Sequence, residues 1–353
     1  MASGTLSDPL LFAVFVIALG VIALSLVLLA VVAALRLQLL ARERRLRRVI
    51  ARWQPLLART VAGERIAVPR LLSATERELV LPLWNEVRES IRGEAEARLD
   101  ALARRAKLDR TARAMLALRG PRKKRILAIN TAGYLLAAEC WDRLLALCRD
   151  PNPTISLTAV RAVMRVDPAR ALPELLPLML ARENWSLAHL VPLLRAADAG
   201  VLAETLERAM SRAAGGDLVR LLRLAEALPP DRTSTWAGRI LEAGAPEPVI
   251  EAALRLVRDP RDAPLVRRYL EHPGWQVRVR AIGALEHVAG ADDVARLVAA
   301  LGDREWWVRM RAARTLVRLP FLGEEELSRL REAVPDRFGR DALAHAEAEE
   351  RAP

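Results

Sequence analysis

Two stretches decide how this chain is read: Trp275-Gln-Val-Arg-Val-Arg-Ala-Ile-Gly-Ala-Leu285 and Trp306-Trp-Val-Arg-Met-Arg-Ala-Ala-Arg-Thr-Leu316. They lie 31 residues apart and share Trp, Val, Arg, Arg, Ala and Leu in register. Within each, apolar residues recur every three or four positions, the period of one helix face. A supersecondary unit repeated at this interval cannot bury its apolar face alone and must stack on its neighbours.

The same template extends upstream. Ile155, Ala159, Ala162 and Val163 fit it 122 residues before the best copy, near four periods, while Val249, Ala253, Leu256 and Val257 fit it 28 residues before. Ala128, Thr131 and Ala132 carry a weaker trace. Each unit reads as helix, turn, helix. Val166-Asp167-Pro168, Ala289-Gly290-Ala291 and Leu319-Pro320 supply turns inside units, and Asp150-Pro151, His272-Pro273-Gly274 and Gly302-Asp303 separate them. Asp150 and Asp303 each stand five residues before the first apolar residue of the next helix, where a carboxylate is expected to cap it. Alanines at 159, 281 and 312 leave room for close helix approach.

Val277-Arg278, Arg280-Ala281 and Ala284-Leu285, with Val308-Arg309, Arg311-Ala312 and Leu316, resemble the HEAT-repeat family in its short bacterial form, the phycobilisome-lyase-type HEAT-like repeats. The resemblance covers about 121–334, is strongest in the last two units and is weakest over 185–246, where Gly215-Gly216 and Pro229-Pro230 interrupt the pattern. It implies an α-α superhelix that serves as a binding scaffold. It names no partner and no chemistry.

Composition agrees with an all-α fold. Leu, Ala and Arg dominate, aromatics are 4%, and strand-favouring residues are sparse. The N-terminal sixty residues differ from the rest. From Pro9 to Leu35 there is no charge, and 18 of 27 positions are Leu, Ile, Val or Phe. A helix of that length spans about 40 Å, enough to cross a bilayer with tilt, and its insertion is favoured by at least about 5 kcal/mol. Met1–Asp8 lacks Lys and Arg and the apolar run is long, so an uncleaved anchor is expected rather than a signal peptide. Arg36, Arg42, Arg44, Arg45, Arg47, Arg48 and Arg52 follow the run, which places the C-terminal body in the cytoplasm beneath the inner membrane and residues 1–8 outside.

The net charge of +12 is confined to two places. Residues 36–70 carry ten Arg against Glu43 and Glu64, and Arg122-Lys123-Lys124-Arg125 supplies the remainder. The basic run also fits anionic lipid head groups, with Trp53 suited to the interface; the favoured reading is a topology signal continuing into the first soluble helix. The expected organisation is a short non-cytoplasmic segment at 1–8, a transmembrane helix at 9–35, a basic juxtamembrane and capping region at 36–119, a solenoid at 120–334 and a frayed tail at 335–353. Ser73 and Thr75 before Glu76 and Glu78 mark a helix start, and Gly93 a helix end.

Catalytic and metal motifs are lacking. His189, His272, His287 and His345 are scattered, no phosphate loop or nucleophile turn occurs, and Cys140 and Cys148 lie about 12 Å apart along one expected helix, beyond disulfide reach. No enzyme activity, metal or cofactor is expected. The candidate partner surface comprises Trp306, Trp307, Arg278, Arg280, Arg309 and Arg311. Of each Arg pair, one is expected to bond a turn carboxylate such as Asp303; of the Trp doublet, one ring is expected to be exposed. The expected role is a membrane-tethered scaffold for a protein partner, such as a membrane-bound enzyme complex. Alternatives are a nucleic-acid-binding, DNA-glycosylase-like solenoid, disfavoured by the anchor and the charge-balanced body, and a bilin-lyase-type enzyme, for which no catalytic constellation is present.

Overall fold

The computed structural model describes residues 9–64, 66–68, 73–117, 120–136 and 139–351, with side chains from Phe12 onward. Among the described residues every regular element is helical. The chain divides into two compact units, Met1–Cys140 and Trp141–Pro353. This division falls after the Gly120-Pro121 break rather than at it.

The first unit opens with α1, Pro9–Val61, a single uninterrupted helix. Its sequence changes character along its length. From Phe12 to Arg48 every described side chain is exposed, Phe12, Ile17 and Leu29 by two-thirds, and the helix is long and apolar enough to cross a membrane. Ser25, the polar side chain of the uncharged run, donates its hydroxyl to the Val21 carbonyl at 2.8 Å and so needs no partner outside the helix. Further on, Val49, Trp53, Leu57 and Thr60 recur at helical spacing and are buried against α2 (Ala74–Ser90) and α3 (Glu94–Arg105). One helix therefore serves as apolar rod and as first core helix.

Ser73 caps α2 by accepting the Glu76 amide at 3.1 Å. The face that α2 buries is Val80, Leu81, Trp84, Asn85 and Arg88, while Leu79, Leu83 and Val87 are only half-buried. Two polar residues belong to that face because partners await them. Asn85 donates to Thr131 at 3.0 Å, and the Arg88 guanidinium meets Glu96 at 2.7 Å and Asp100 at 2.8 Å. Gly93, at φ +79°, makes the left-handed corner between α2 and α3. α4 (Leu108–Ala117) and α5 (Arg122–Leu135) complete this unit.

The second unit is a solenoid-like array of helical pairs. Its elements are α6 (Trp141–Leu147), α7 (Pro153–Val166), α8 (Pro168–Ala181), α9 (Leu187–Leu194), α10 (Ala199–Met210), α11 (Gly215–Leu224), α12 (Pro230–Ala243), α13 (Glu247–Leu254), α14 (Ala263–Arg267), α15 (Trp275–Val288), α16 (Val294–Ala300), α17 (Trp306–Arg318), α18 (Glu324–Ala333) and α19 (Arg337–Arg351). The odd-numbered helices from α7 to α19 lie side by side in one layer. α15 and α17 begin at Trp275 and Trp306, reproducing the offset of the sequence repeat. Ala159, Ala281 and Ala312 are fully buried, as are Val277, Leu285 and Leu316. Gly215 and Pro230, which interrupt the sequence pattern, are helix starts: Gly215 at φ +55° opens α11, and Pro230 occupies the first turn of α12.

Two turn carboxylates act differently from expectation. Asp150 and Asp303 accept amides two residues ahead, from Asn152 at 2.9 Å and Glu305 at 2.8 Å. They close turns before the helices. At α7 the capping itself falls to Asn152, which accepts from Thr154 and Ile155.

The tail also requires correction. Residues 337–351 are not frayed but form α19, which buries Ala342, Leu343 and Ala346 against α17. Docking depends on Gly339: a Cβ there would lie 2.7 Å from the Leu301 carbonyl oxygen. We expect Gly339→Val to lift α19 and cost about 1–3 kcal/mol, read as a lower unfolding temperature and new proteolytic cleavage within 337–351. Unchanged protection would contradict the docking.

Candidate partner-binding surface on the last repeats

The four arginines of the repeat signature divide into two pairs. Arg278 and Arg309 turn back along their helices toward the turn that precedes each. Arg278 donates to the carbonyls of His272 and Pro273 at 2.9 and 3.0 Å, and Arg309 to those of Asp303 and Arg304 at 2.6 and 3.1 Å. The spacing is the same in both repeats. Arg278 is buried and additionally forms a two-pronged pair with Asp303 at 2.8 and 2.9 Å, while Arg309 lies over the Phe338 ring at 5.5 Å. These two are fasteners between repeats.

Burial alone would raise the Asp303 carboxyl, but the Arg278 hydrogen bond, the Glu305 amide and the Arg278 charge outweigh it and hold the group below its usual range. A carboxylate with a depressed folded pKa contributes stability above its unfolded value of about 3.9 and loses it as pH falls.

Arg280 and Arg311 stand two positions further along α15 and α17, about 200° around each helix, and face a cleft of 660 Å³. Arg311 approaches Glu286 at 3.2 Å and Arg280 approaches Glu251 at 4.0 Å. Gly283 makes room for the Arg311 side chain: a Cβ at 283 would come within 2.6 Å of its guanidinium. Arg195, Arg255, Arg258 and His287 line the same cleft. Sequence reasoning missed these because they come from differently spaced helices; the only signal was the recurrence of Arg near helix ends. Burial, followed by the charge of Arg258, lowers the His287 pKa.

The tryptophans differ in exposure, with Trp275 between the extremes. Trp53, Trp84, Trp141, Trp185 and Trp236 are buried, whereas Trp306 and Trp307 are 48% and 57% exposed. Both rings of the doublet are exposed, not one. At the first turn of α17 they project off the helix end and pack edge to face at 4.6 Å. Trp307 and Arg311, four residues apart, share one side of α17.

The basic stretch of α1 is part of the continuous helix. Arg36, Arg42, Arg44, Arg45, Arg47, Arg48 and Arg52 are exposed, with Arg52 near Glu76 at 3.4 Å. Trp53, expected at a lipid interface, is instead fully buried; its ring fills the space between α1 and its neighbours and is removed from any head-group layer. Cys148 is also buried, and burial pushes its thiol to about 12, which makes it inert.

Residues 263–348 match the family model described as HEAT repeats. This segment is similar to HEAT repeats. The match includes α15–α18 and most of α19, the region of the Arg fasteners and the tryptophan pair. No curated protein matches the chain.

We expect Asp303→Asn, which leaves Arg278 without its counter-charge, to cost about 2–3 kcal/mol near neutral pH. In denaturant titrations the gap from wild type should be full above about pH 5 and close as pH falls below about 4. A gap independent of pH would contradict the assigned pair. Gly283→Ala should displace Arg311 from the cleft wall while costing about 1 kcal/mol or less in stability, seen as an altered Arg311 side-chain resonance.

Proposed function

We propose that this protein is a non-catalytic scaffold, tethered through α1 to a bacterial inner membrane, N-terminus outside, that presents its repeats in the cytoplasm to a protein partner such as a membrane-bound enzyme complex. Three features support the reading. The apolar half of α1 has no partner among the described residues and suits lipid. Exposed arginines from Arg36 to Arg52 follow it on one side only, consistent with a cytoplasmic body. HEAT repeats, to which 263–348 is similar, are used as protein-interaction scaffolds.

The single observation that carries the reading is the Trp306–Trp307 pair. Five of the eight tryptophans are buried and Trp275 is half-buried, so two adjacent indoles half in solvent are a costly arrangement unless a partner covers them. Tryptophans of this kind are frequent anchors of protein interfaces, worth about 2 kcal/mol or more each when truncated. Tethering confines the repeats to the membrane surface and raises their effective concentration toward a membrane-bound partner without further contacts.

Trp306→Ala/Trp307→Ala should leave folding and membrane association intact. In detergent pull-downs after crosslinking in intact membranes, its partner recovery should drop by at least about tenfold. Recovery of the same proteins by variant and wild type would remove the Trp pair as the anchor.

A further inference from the structure

The cleft facing Arg280 and Arg311 is unbalanced in charge. Its walls carry five arginines, at 195, 255, 258, 280 and 311, and one carboxylate, Glu226, while Glu286 flanks Arg311 at 3.2 Å and Glu251 flanks Arg280 at 4.0 Å. Glu226 is already engaged by Arg255 at 2.8 Å and by Arg223 at 2.9 Å. Arg258 donates to the carbonyls of Arg255 and Val257 at 3.0 and 2.6 Å, and Arg195 reaches the Glu226 carbonyl at 3.5 Å. Among the described residues neither has a carboxylate within ion-pair distance. Burial, then the proximity of Arg255, pushes Arg280 below its ordinary value; burial acts first on Arg258 and Arg311 as well. Like charges gathered in a partly desolvated cleft favour an incoming anion.

The form of that anion is indicated within the fold. Arg314 and Arg318 continue along α17 from Arg311, and both already hold carboxylates of α19: Arg314 grips Glu349 at 2.9 and 3.0 Å, and Arg318 meets Glu350 at 3.4 Å. At the last repeat, the arginines are thus covered by an acidic helical segment whose apolar side is buried beneath it. Beyond Arg311 the guanidiniums continue repeat by repeat, through Arg280 on α15, Arg255 after α13, Arg223 on α11 and Arg195 after α9, with no such segment upon them among the described residues. Between them the accessible part of the cleft wall is apolar, with Ala197, Ala199, Ala227, Pro229, Pro230 and Val279 over a layer of buried leucines. A lone small anion would use the charges and leave this apolar wall wet.

We propose that this cleft binds an acidic peptide segment of a protein partner, its carboxylates taken by Arg195 and Arg258 and its intervening apolar side chains by the alanine- and proline-lined wall. This deepens the scaffold reading and rests on it: the tryptophan pair anchors the partner, and the arginine cleft selects an acidic one. Charge complementarity of this type sets specificity and association rate.

The test uses the full chain in detergent micelles and a fluorescein-labelled peptide rich in Glu and Leu, beside its Gln-for-Glu counterpart. The Glu peptide should bind at least about tenfold more tightly than the Gln peptide, about 1.4 kcal/mol, and its affinity should fall with added salt. Arg195→Gln/Arg258→Gln should weaken it by a similar factor, and Arg195→Lys/Arg258→Lys should retain most of it. If the Gln variant loses helical content, the Lys variant and the two-peptide comparison decide alone. Equal affinity for both peptides would overturn the proposal. So would displacement of the Glu peptide by tripolyphosphate or a single-stranded DNA oligonucleotide at concentrations below its own Kd, which would assign the cleft to phosphate chemistry. Loss of peptide binding together with a retained, Trp-dependent partner in membrane pull-downs supports two separate contacts. Failure of the peptide to bind wild type, with that partner retained, removes the cleft proposal and leaves the scaffold standing.

Discussion

A buried guanidinium joins one repeat to the next. Arg278 holds the carbonyls of the turn that starts its own helix and, with its other nitrogens, the carboxylate that closes the following turn. A hairpin of two short helices has too little apolar surface to fold alone, so each must find its partner surface on its neighbours. Close packing at Ala281 and Ala312 lets adjacent helices meet, and the guanidinium sets their spacing and satisfies carbonyls that would otherwise be stranded at helix ends. Arg309 repeats the arrangement one unit later, with Phe338 of α19 in place of the next turn.

From this constraint follows the division of labour among the arginines. In a helix, residues two apart point to opposed sides, so the Val-Arg-x-Arg signature necessarily sends one guanidinium to the turn and the other elsewhere. Arg280 and Arg311 are the others. What they face is built by several repeats together, and its excess of positive charge is tolerated because the fasteners, not the cleft, hold the stack.

Much of this was legible in the sequence. The 31-residue offset located α15 and α17, the Asp167-Pro168 turn and the Ser73 cap were read correctly, and a bond from one arginine of each pair to a turn carboxylate such as Asp303 was anticipated, which Arg278 makes and the Arg309/Arg311 pair does not. What was not legible depends on contacts between segments distant in sequence. Trp53 looks interfacial because it follows a membrane-length run, but its fate depends on α2 and α3, which fold over it. The tail looks polar because its outward face is Glu- and Arg-rich; its inward face is mostly small alanines, whose burial needs a close approach that only Gly339 permits. The cleft was invisible because Arg195, Arg255 and Arg258 belong to repeats whose register has drifted from the best copies. In functional terms, α1 spans the same divide: its apolar half is exposed among the described residues, and its amphipathic half is core, so attachment to a bilayer would pass directly into the folded body through one helix.

The central claim is that repeats stabilise one another through these fasteners. It is tested most directly by native-state hydrogen exchange of full-length Arg278→Ala. The account predicts that amide protection falls in both α15 and α17, because the guanidinium secures the turn on each side. Loss of protection confined to α15, with α17 exchanging as in the wild type, would contradict it.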